Sequence, residues 1–135
     1  MELIDSSAWI EFFRRTGSRA NLVVREMVQE RLGEVAITEP VLLELLAGAP
    51  SGRAFSHIEK LAGGLQLLPV DASVDYRDAA MTYRAVRRGG HTVRKTMDCL
   101  IAAVAVRTGA TLVHRDRDFD LLAKALPDLR VRSLF

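Results

Sequence analysis

Apolar positions fall into two alternating rhythms along this chain: brief continuous runs, and longer segments spaced every three to four residues. The brief runs "ELI" (2–4), "EVAIT" (34–38), "LQLLPV" (65–70), "ATLVH" (110–114) and "LRVRSLF" (129–135) predict five strands. Helices fill the intervals. Ser6 or Ser7 caps a short one carrying Trp9, Ile10, Phe12 and Phe13. "NLVVREMVQERLG" (21–33) places Leu22, Val23, Met27, Val28 and Leu32 at helical spacing and stops at Gly33. Thr38 and Pro40 announce "EPVLLELLAG" (39–48), and "GRAFSHIEKLAGG" (52–64) breaks at its two glycines. Asp71 or Ser73 caps a long helix through Tyr76, Ala80, Tyr83 and Val86, ended by Gly89 and Gly90. "TMDCLIAAVAVRTG" (96–109) reads as a buried small-residue helix. "DFDLLAKAL" (118–126) is the last, with Asp118 placed to cap it and Asp120 in its first turn.

Strand-helix alternation with continuously apolar strands predicts an α/β fold whose mainly parallel central sheet is covered on both faces. Ligands of such sheets bind beyond the carboxyl ends of the strands. Asp5 directly follows the first strand, and Asp116 lies just beyond "TLVH". Glu44 stands about one turn into the helix after "EVAIT", and Asp98 in the first turn of the helix before "TLVH". Helices that follow parallel strands start at that same edge, so four distant carboxylates converge. Singly, each has a structural explanation: Asp5 as a cap, Glu44 as a face charge, Asp98 as a complement to the helix dipole. Together they need a counter-charge, and Mg²⁺ or Mn²⁺, which prefer oxygen ligands, supplies it. Two such ions roughly 4 Å apart serve phosphodiester cleavage.

Composition narrows the classes. At 135 residues the chain reads as one domain, 1–135. Apolar residues make up 49%, yet no run approaches the roughly 18 residues of a membrane span. The start, "MELIDSSAWIEFF", has no basic region like that of a signal peptide. A lone cysteine, Cys99, rules out an internal disulfide and fits a reducing cytoplasm. One cysteine and three scattered histidines give no zinc spacing. The net charge of +2 says little, but its distribution says more. Between Asp78 and Asp98, Arg84, Arg87, Arg88, His91, Arg94 and Lys95 stand with no acid among them. That stretch suits either phosphates or a solvated helix end.

Several segments together resemble a known family. "LIDSSAWI", "ITEPVLLELLAG" and "TMDCLIAAVAVRTGATLVHRDRDF", in this order, resemble a PIN domain, and more closely the VapC toxins of bacterial VapBC toxin-antitoxin pairs. The resemblance implies a three-layer α/β/α sandwich and a Mg²⁺-dependent endoribonuclease, with Mn²⁺ able to substitute. It carries the catalytic acids onto Asp5, Glu44, Asp98 and Asp116, with Ser7 and Asp118 as accessory positions. Asp5, Asp98 and Asp116 are the implied metal ligands; Glu44 would orient water or hold a second ion. It further implies tRNA or ribosomal RNA substrates cut to a 5′-phosphate and a 3′-hydroxyl, a homodimer, and inhibition by a cognate VapB-type antitoxin. Arg84, Arg87, Arg88, Arg94, Lys95, Arg115 and Arg117 are the RNA-binding candidates, with Arg14, Arg15 and Arg19 as a further flank. One position departs from the family: His114 stands where a hydroxyl residue is usual, to donate a hydrogen bond or add a positive charge. The alternatives are a catalytically degenerate PIN domain that only binds RNA or protein, and a phosphoacceptor receiver domain.

Overall fold

In a computed structural model, which describes residues 1–135, the five apolar runs form strands β1 (Glu2–Ile4), β2 (Val35–Ile37), β3 (Gln66–Leu67), β4 (Thr111–His114) and β5 (Arg130–Ser133). The helices are α1 (Ser6–Phe13), α2 (Arg19–Glu30), α3 (Glu39–Ala47), α4 (Gly52–Gly63), α5 (Asp75–Arg88), α6 (Thr96–Thr108) and α7 (Arg117–Ala125). The sheet order is β3-β2-β1-β4-β5, and every neighbouring pair is parallel. A flavodoxin-like receiver would have the order 2-1-3-4-5, so that alternative falls. Strand order reverses between β1 and β4, which opens a crevice at their carboxyl ends.

Adjacent residues of a strand face opposite sides of the sheet. Leu3 and Ile4 in β1, and Leu112 and Val113 in β4, are all fully buried. Both faces are therefore covered by helices, and the three-layer α/β/α arrangement stands. β3 is shorter than the run 65–70, because Pro69 has no N–H to extend the ladder. One further bond, from Leu68 N–H to the Ile37 carbonyl (2.8 Å), ends it. No helix is long and apolar enough to cross a membrane.

Several helix ends differ from the expected ones, each for a hydrogen-bonding reason. Of the three cap candidates for α1, Asp5 takes the role by accepting from the Ser7 N–H (2.9 Å), and Ser6 and Ser7 do not. α2 begins before residue 21 because Ser18 Oγ accepts from Asn21 N–H, and Gly33 falls in a separate 3₁₀ turn, Leu32–Glu34. Neither Asp71 nor Ser73 caps α5: the Asp71 carboxylate accepts from Ser73 N–H and Oγ and closes a turn ahead of the helix. α7 is capped by Asp116, whose side chain accepts from Asp118 N–H (3.0 Å); Asp118 itself sits in the first turn. Gly109 ends α6 in the left-handed region (φ 72°), and Ala110 N–H returns to the Ala105 carbonyl.

Behind the sheet edge, α5 and α6 are locked together. Asp75 is fully buried, and its Oδ2 lies 2.8 Å from Arg107 Nη2, which also donates to the Pro69 carbonyl. Burial alone would raise the Asp75 carboxyl, but the Arg107 hydrogen bonds outweigh it and hold it below the usual range. Cys99 lies in the core on α6, where burial pushes its thiol up to about 11. It is a packing residue and no nucleophile.

Candidate metal centre

The crevice between β1 and β4 collects the acids. Asp5 ends β1, and its N–H donates to the Val113 carbonyl of β4 (2.8 Å). His114 and Arg115 lead from β4 to Asp116, which starts α7. The first turns of α6 and α7 bring in Asp98 and Asp118. One oxygen each from Asp98, Asp116 and Asp118 lie within 4.8 Å of one another. Asp5 stands outside that trio, but its charge acts directly on Asp98. Glu44, more than a turn into α3, faces the same cluster and acts on both Asp5 and Asp98.

Electrostatics follow from this crowding. Burial, more than any neighbour, lifts the Asp5 carboxyl to about 6, with hydrogen bonds from Ser7 resisting and Glu44 adding repulsion. Asp98 rises to about 7, first through burial and then through the charge of Asp5. Both carboxyls are thus held above the ordinary range, and the charge of Asp5 adds to the rise at Asp98. Asp5 Oδ1 and Asp98 Oδ2 are buried with no hydrogen-bond donor. A buried acceptor left alone costs about 1–3 kcal/mol. Hard oxygen donors, two of them orphaned, fit Mg²⁺ or Mn²⁺.

The hydroxyl pair divides its work. Ser6 Oγ donates to Glu44 Oε1 (3.1 Å), whereas Ser7 Oγ accepts from Arg115 N–H (2.9 Å). Ser7, the predicted accessory hydroxyl, thus ties the β4–α7 turn to α1, and Ser6 orients a site carboxylate. Successive helix residues point about 100° apart, so the two serines reach different partners. Nothing in the one-dimensional pattern favoured Ser6.

His114 is fully buried and packs against Phe119 with ring centroids 5.3 Å apart. Its Nδ1 accepts from Asp116 N–H (3.1 Å), and burial pushes its pKa down. The neutral ring therefore adds no positive charge, and its bond runs opposite to a donated one. Its Nε2 lies 3.4 Å from Asp120 Oδ1 but is not aligned for a hydrogen bond.

The basic candidates separate into four groups. Arg94 and Lys95 sit on the acids: Arg94 bridges Asp116 and Asp118, and Lys95 Nζ lies 3.3 Å from Glu44 Oε2. Burial would depress the Lys95 ammonium, but the charges of Asp98 and Glu44 prevail and raise it. Arg115 pairs with Glu11 (3.0 Å), and both Arg115 and Arg117 lie over the Phe135 ring. With Arg94, these two line a shallow basin of about 400 Å³ beside Asp116 and Asp118. Arg84, Arg87 and Arg88 stay exposed along α5 and pair with none of the acids; Arg87 lies over the Tyr83 ring. Arg14, Arg15 and Arg19 are exposed on the α1–α2 connection, and Arg19 donates to the Phe135 carbonyl.

Comparison with known proteins gives a consistent outcome. A family profile described as PIN domain matches residues 3–125. The chain is 50% identical over 124 residues to VapC ribonuclease Mb1587 of Mycobacterium bovis and to ribonuclease VapC11 of Mycobacterium tuberculosis, covering 92% of each chain. Among solved structures it is similar to a DNA-bound VapBC complex from Salmonella typhimurium, with a TM-score of 0.79, 21% identity and 100% of both chains covered. At that identity the likeness concerns the fold.

Proposed function

Since the chain belongs to the PIN-domain family, we propose that it is a toxin of a type II toxin-antitoxin system, an endoribonuclease that uses Mg²⁺ or Mn²⁺. The observation that carries the reading is the convergence of Asp5, Glu44, Asp98, Asp116 and Asp118 at the β1–β4 crevice, with orphaned oxygens on Asp5 and Asp98. The ribonuclease names of relatives at 50% identity support the same reaction class.

Asp5, Asp98 and Asp116 would hold the cation, with Asp118 beside them. The bound ion would supply Lewis acidity toward a water and a phosphate oxygen. Everything else falls to this chain's side chains. Ser6 fixes one oxygen of Glu44, leaving Oε2 to Lys95 or to a water. Asp118 N–H holds Asp116, and the N–H groups of Ser7 and Arg94 hold Asp5 and Asp118. Backbone donors do not swing, so the carboxylates are set in place before RNA arrives. The basin of Arg94, Arg115 and Arg117 would take backbone phosphates of a tRNA or ribosomal RNA, with Lys95 and the α5 arginines as outer contacts.

Two apolar grooves suit protein partners. One of about 280 Å³, lined by Ile10, Phe13, Leu45, Ala49 and Ile58, reaches Glu44 and would receive a VapB-type antitoxin. Another of about 590 Å³ between α3, α5 and α6, with Leu43 and Tyr76 exposed at its sides, would meet a second copy in a homodimer. We read residues 1–135 as a single cytoplasmic domain.

The test is RNA cleavage by purified protein free of antitoxin. Parent protein should cut with Mg²⁺ and stop with EDTA, and Asp98→Asn should lose at least about a hundredfold, the scale of losing one electrostatic contact to the reacting groups. Equal cleavage by parent and Asp98→Asn, indifferent to EDTA, would overturn the nuclease reading in favour of a binding module.

A further inference from the structure

Arg94 is tied to Asp118 and Asp116 through both its backbone and its side chain. Its N–H and Nε both donate to Asp118 Oδ2, at 3.2 and 3.1 Å. Its Nη2 donates to Asp116 Oδ1 and Oδ2, at 3.1 and 3.3 Å. One guanidinium thus spans two of the three carboxylates that come within 4.8 Å of one another. The side chain is nevertheless 71% exposed. Charge and hydrogen bonding hold it over the acids, with little packing to keep it there. The same side chain lines the basin shared with Arg115 and Arg117, so a second resting place lies beside the first.

We propose that Arg94 is an internal competitor for the cation, a residue that sets metal affinity by occupying Asp116 and Asp118 and yielding them when the ion binds. The inference rests on the metal reading above. A cation taking those oxygens must displace Nη2 from Asp116, so the two occupants exclude one another. The backbone donors stay in place when the side chain leaves: Arg94 N–H still holds Asp118, and Asp118 N–H still holds Asp116. Removing the guanidinium therefore removes a rival without dismantling the site. A merely structural Arg94 predicts the opposite sign, because a loosened site binds the ion more weakly.

The experiment is calorimetric titration of Mn²⁺ into the full chain, without RNA. Arg94→Gln should bind about tenfold more tightly than the parent, and Arg94→Lys should fall between, since an ammonium cannot reproduce the two-pronged contact. Arg117→Gln removes an equal charge from the same basin without touching the acids, and should change affinity by less than about twofold, as a screened exposed charge does. Unchanged or weaker binding by Arg94→Gln overturns the proposal, as does an equal gain in Arg117→Gln. A parent that binds no Mn²⁺ overturns the metal reading as well, whereas a parent that binds while Arg94→Gln matches it sinks this inference alone. A measurement on the parent covers the case of a variant that fails to fold. The Arg94 Nε–H resonance should shift and lose protection from exchange on adding Mg²⁺; a resonance that does not move counts against displacement.

Discussion

Asp116 serves two ends from one position. It caps α7 and stands within 4.8 Å of Asp98 and Asp118. Substitution separates the two. Asparagine caps a helix about as well as aspartate, and alanine does not. Asp116→Asn should abolish cleavage while leaving the urea midpoint near that of the parent. Asp116→Ala should abolish cleavage and also cost about 1 kcal/mol, the usual worth of a cap. Equal stability in the two variants would show that the cap contributes nothing. The aspartates were legible in the sequence because each follows an apolar strand or opens a helix, and Glu44 because it lies on the helix that follows "EVAIT". The division of labour among them was not. Asp118 looked like the cap, but the extended backbone at Asp116 (φ −140°, ψ 121°) puts the cap two residues earlier. A stretch in which every second residue is acidic does not reveal which one leaves the strand conformation last. His114 is similar: its place beside the acids was readable, and its acceptor role was not, because that depends on the Asp116 N–H turning back toward it.

At the level of elements, the α5–α6 pair shows what a local pattern cannot convey. Asp71 and Ser73 carry strong capping chemistry, yet α5 starts at Asp75. The reason is a long-range partner: Arg107 of α6 draws Asp75 inside, and Asp71 N–H adds a further bond to it. Arg107→Ala strands a buried carboxylate, and breaking a buried pair costs about 3–5 kcal/mol. Because Arg107 is partly exposed, a loss near 3 kcal/mol at pH 7 is expected from urea denaturation, by the same rule. The Asp75 carboxyl is held low in the folded chain. Its contribution is therefore present above the ordinary carboxylate value of about 3.9 and is lost as pH falls below it. The deficit of Arg107→Ala should shrink in acid; a deficit independent of pH would assign the loss to packing instead. Element type was easier to read than element ends. Runs such as "ELI" and "TLVH" have only one use in a parallel sheet, but their lengths and caps are decided by neighbours far away in sequence.

Over the whole molecule, one edge of the sheet gathers five carboxylates against Arg94 and Lys95, so folding places like charges together for the sake of the site. Two of those acids are raised, Asp5 to about 6 and Asp98 to about 7. Below about 3.9 both folded and unfolded chains carry these protons, and nothing is lost. As pH rises, the unfolded chain ionises first and the folded chain is penalised, until both acids have ionised by about pH 8. His114 works in the opposite sense below about 6.5, where the unfolded chain takes up a proton that the buried ring resists. Because the ring bonds to the Asp116 N–H, a cation on Asp116 would act on it too, so Asp98→Asn, which keeps His114, is the control that isolates the buried carboxylate. At pH 5 the ion must drive protons off Asp5 and Asp98, while at pH 8 it meets them already ionised. The rise in melting temperature on adding Mg²⁺ should therefore grow between pH 5 and 7 and level off by pH 8. In Asp98→Asn it should be smaller and much less dependent on pH. A parent shift that stays constant from pH 5 to 8 would mean the buried pair takes no part in holding the ion, and would move the centre to the more exposed Asp116–Asp118 side.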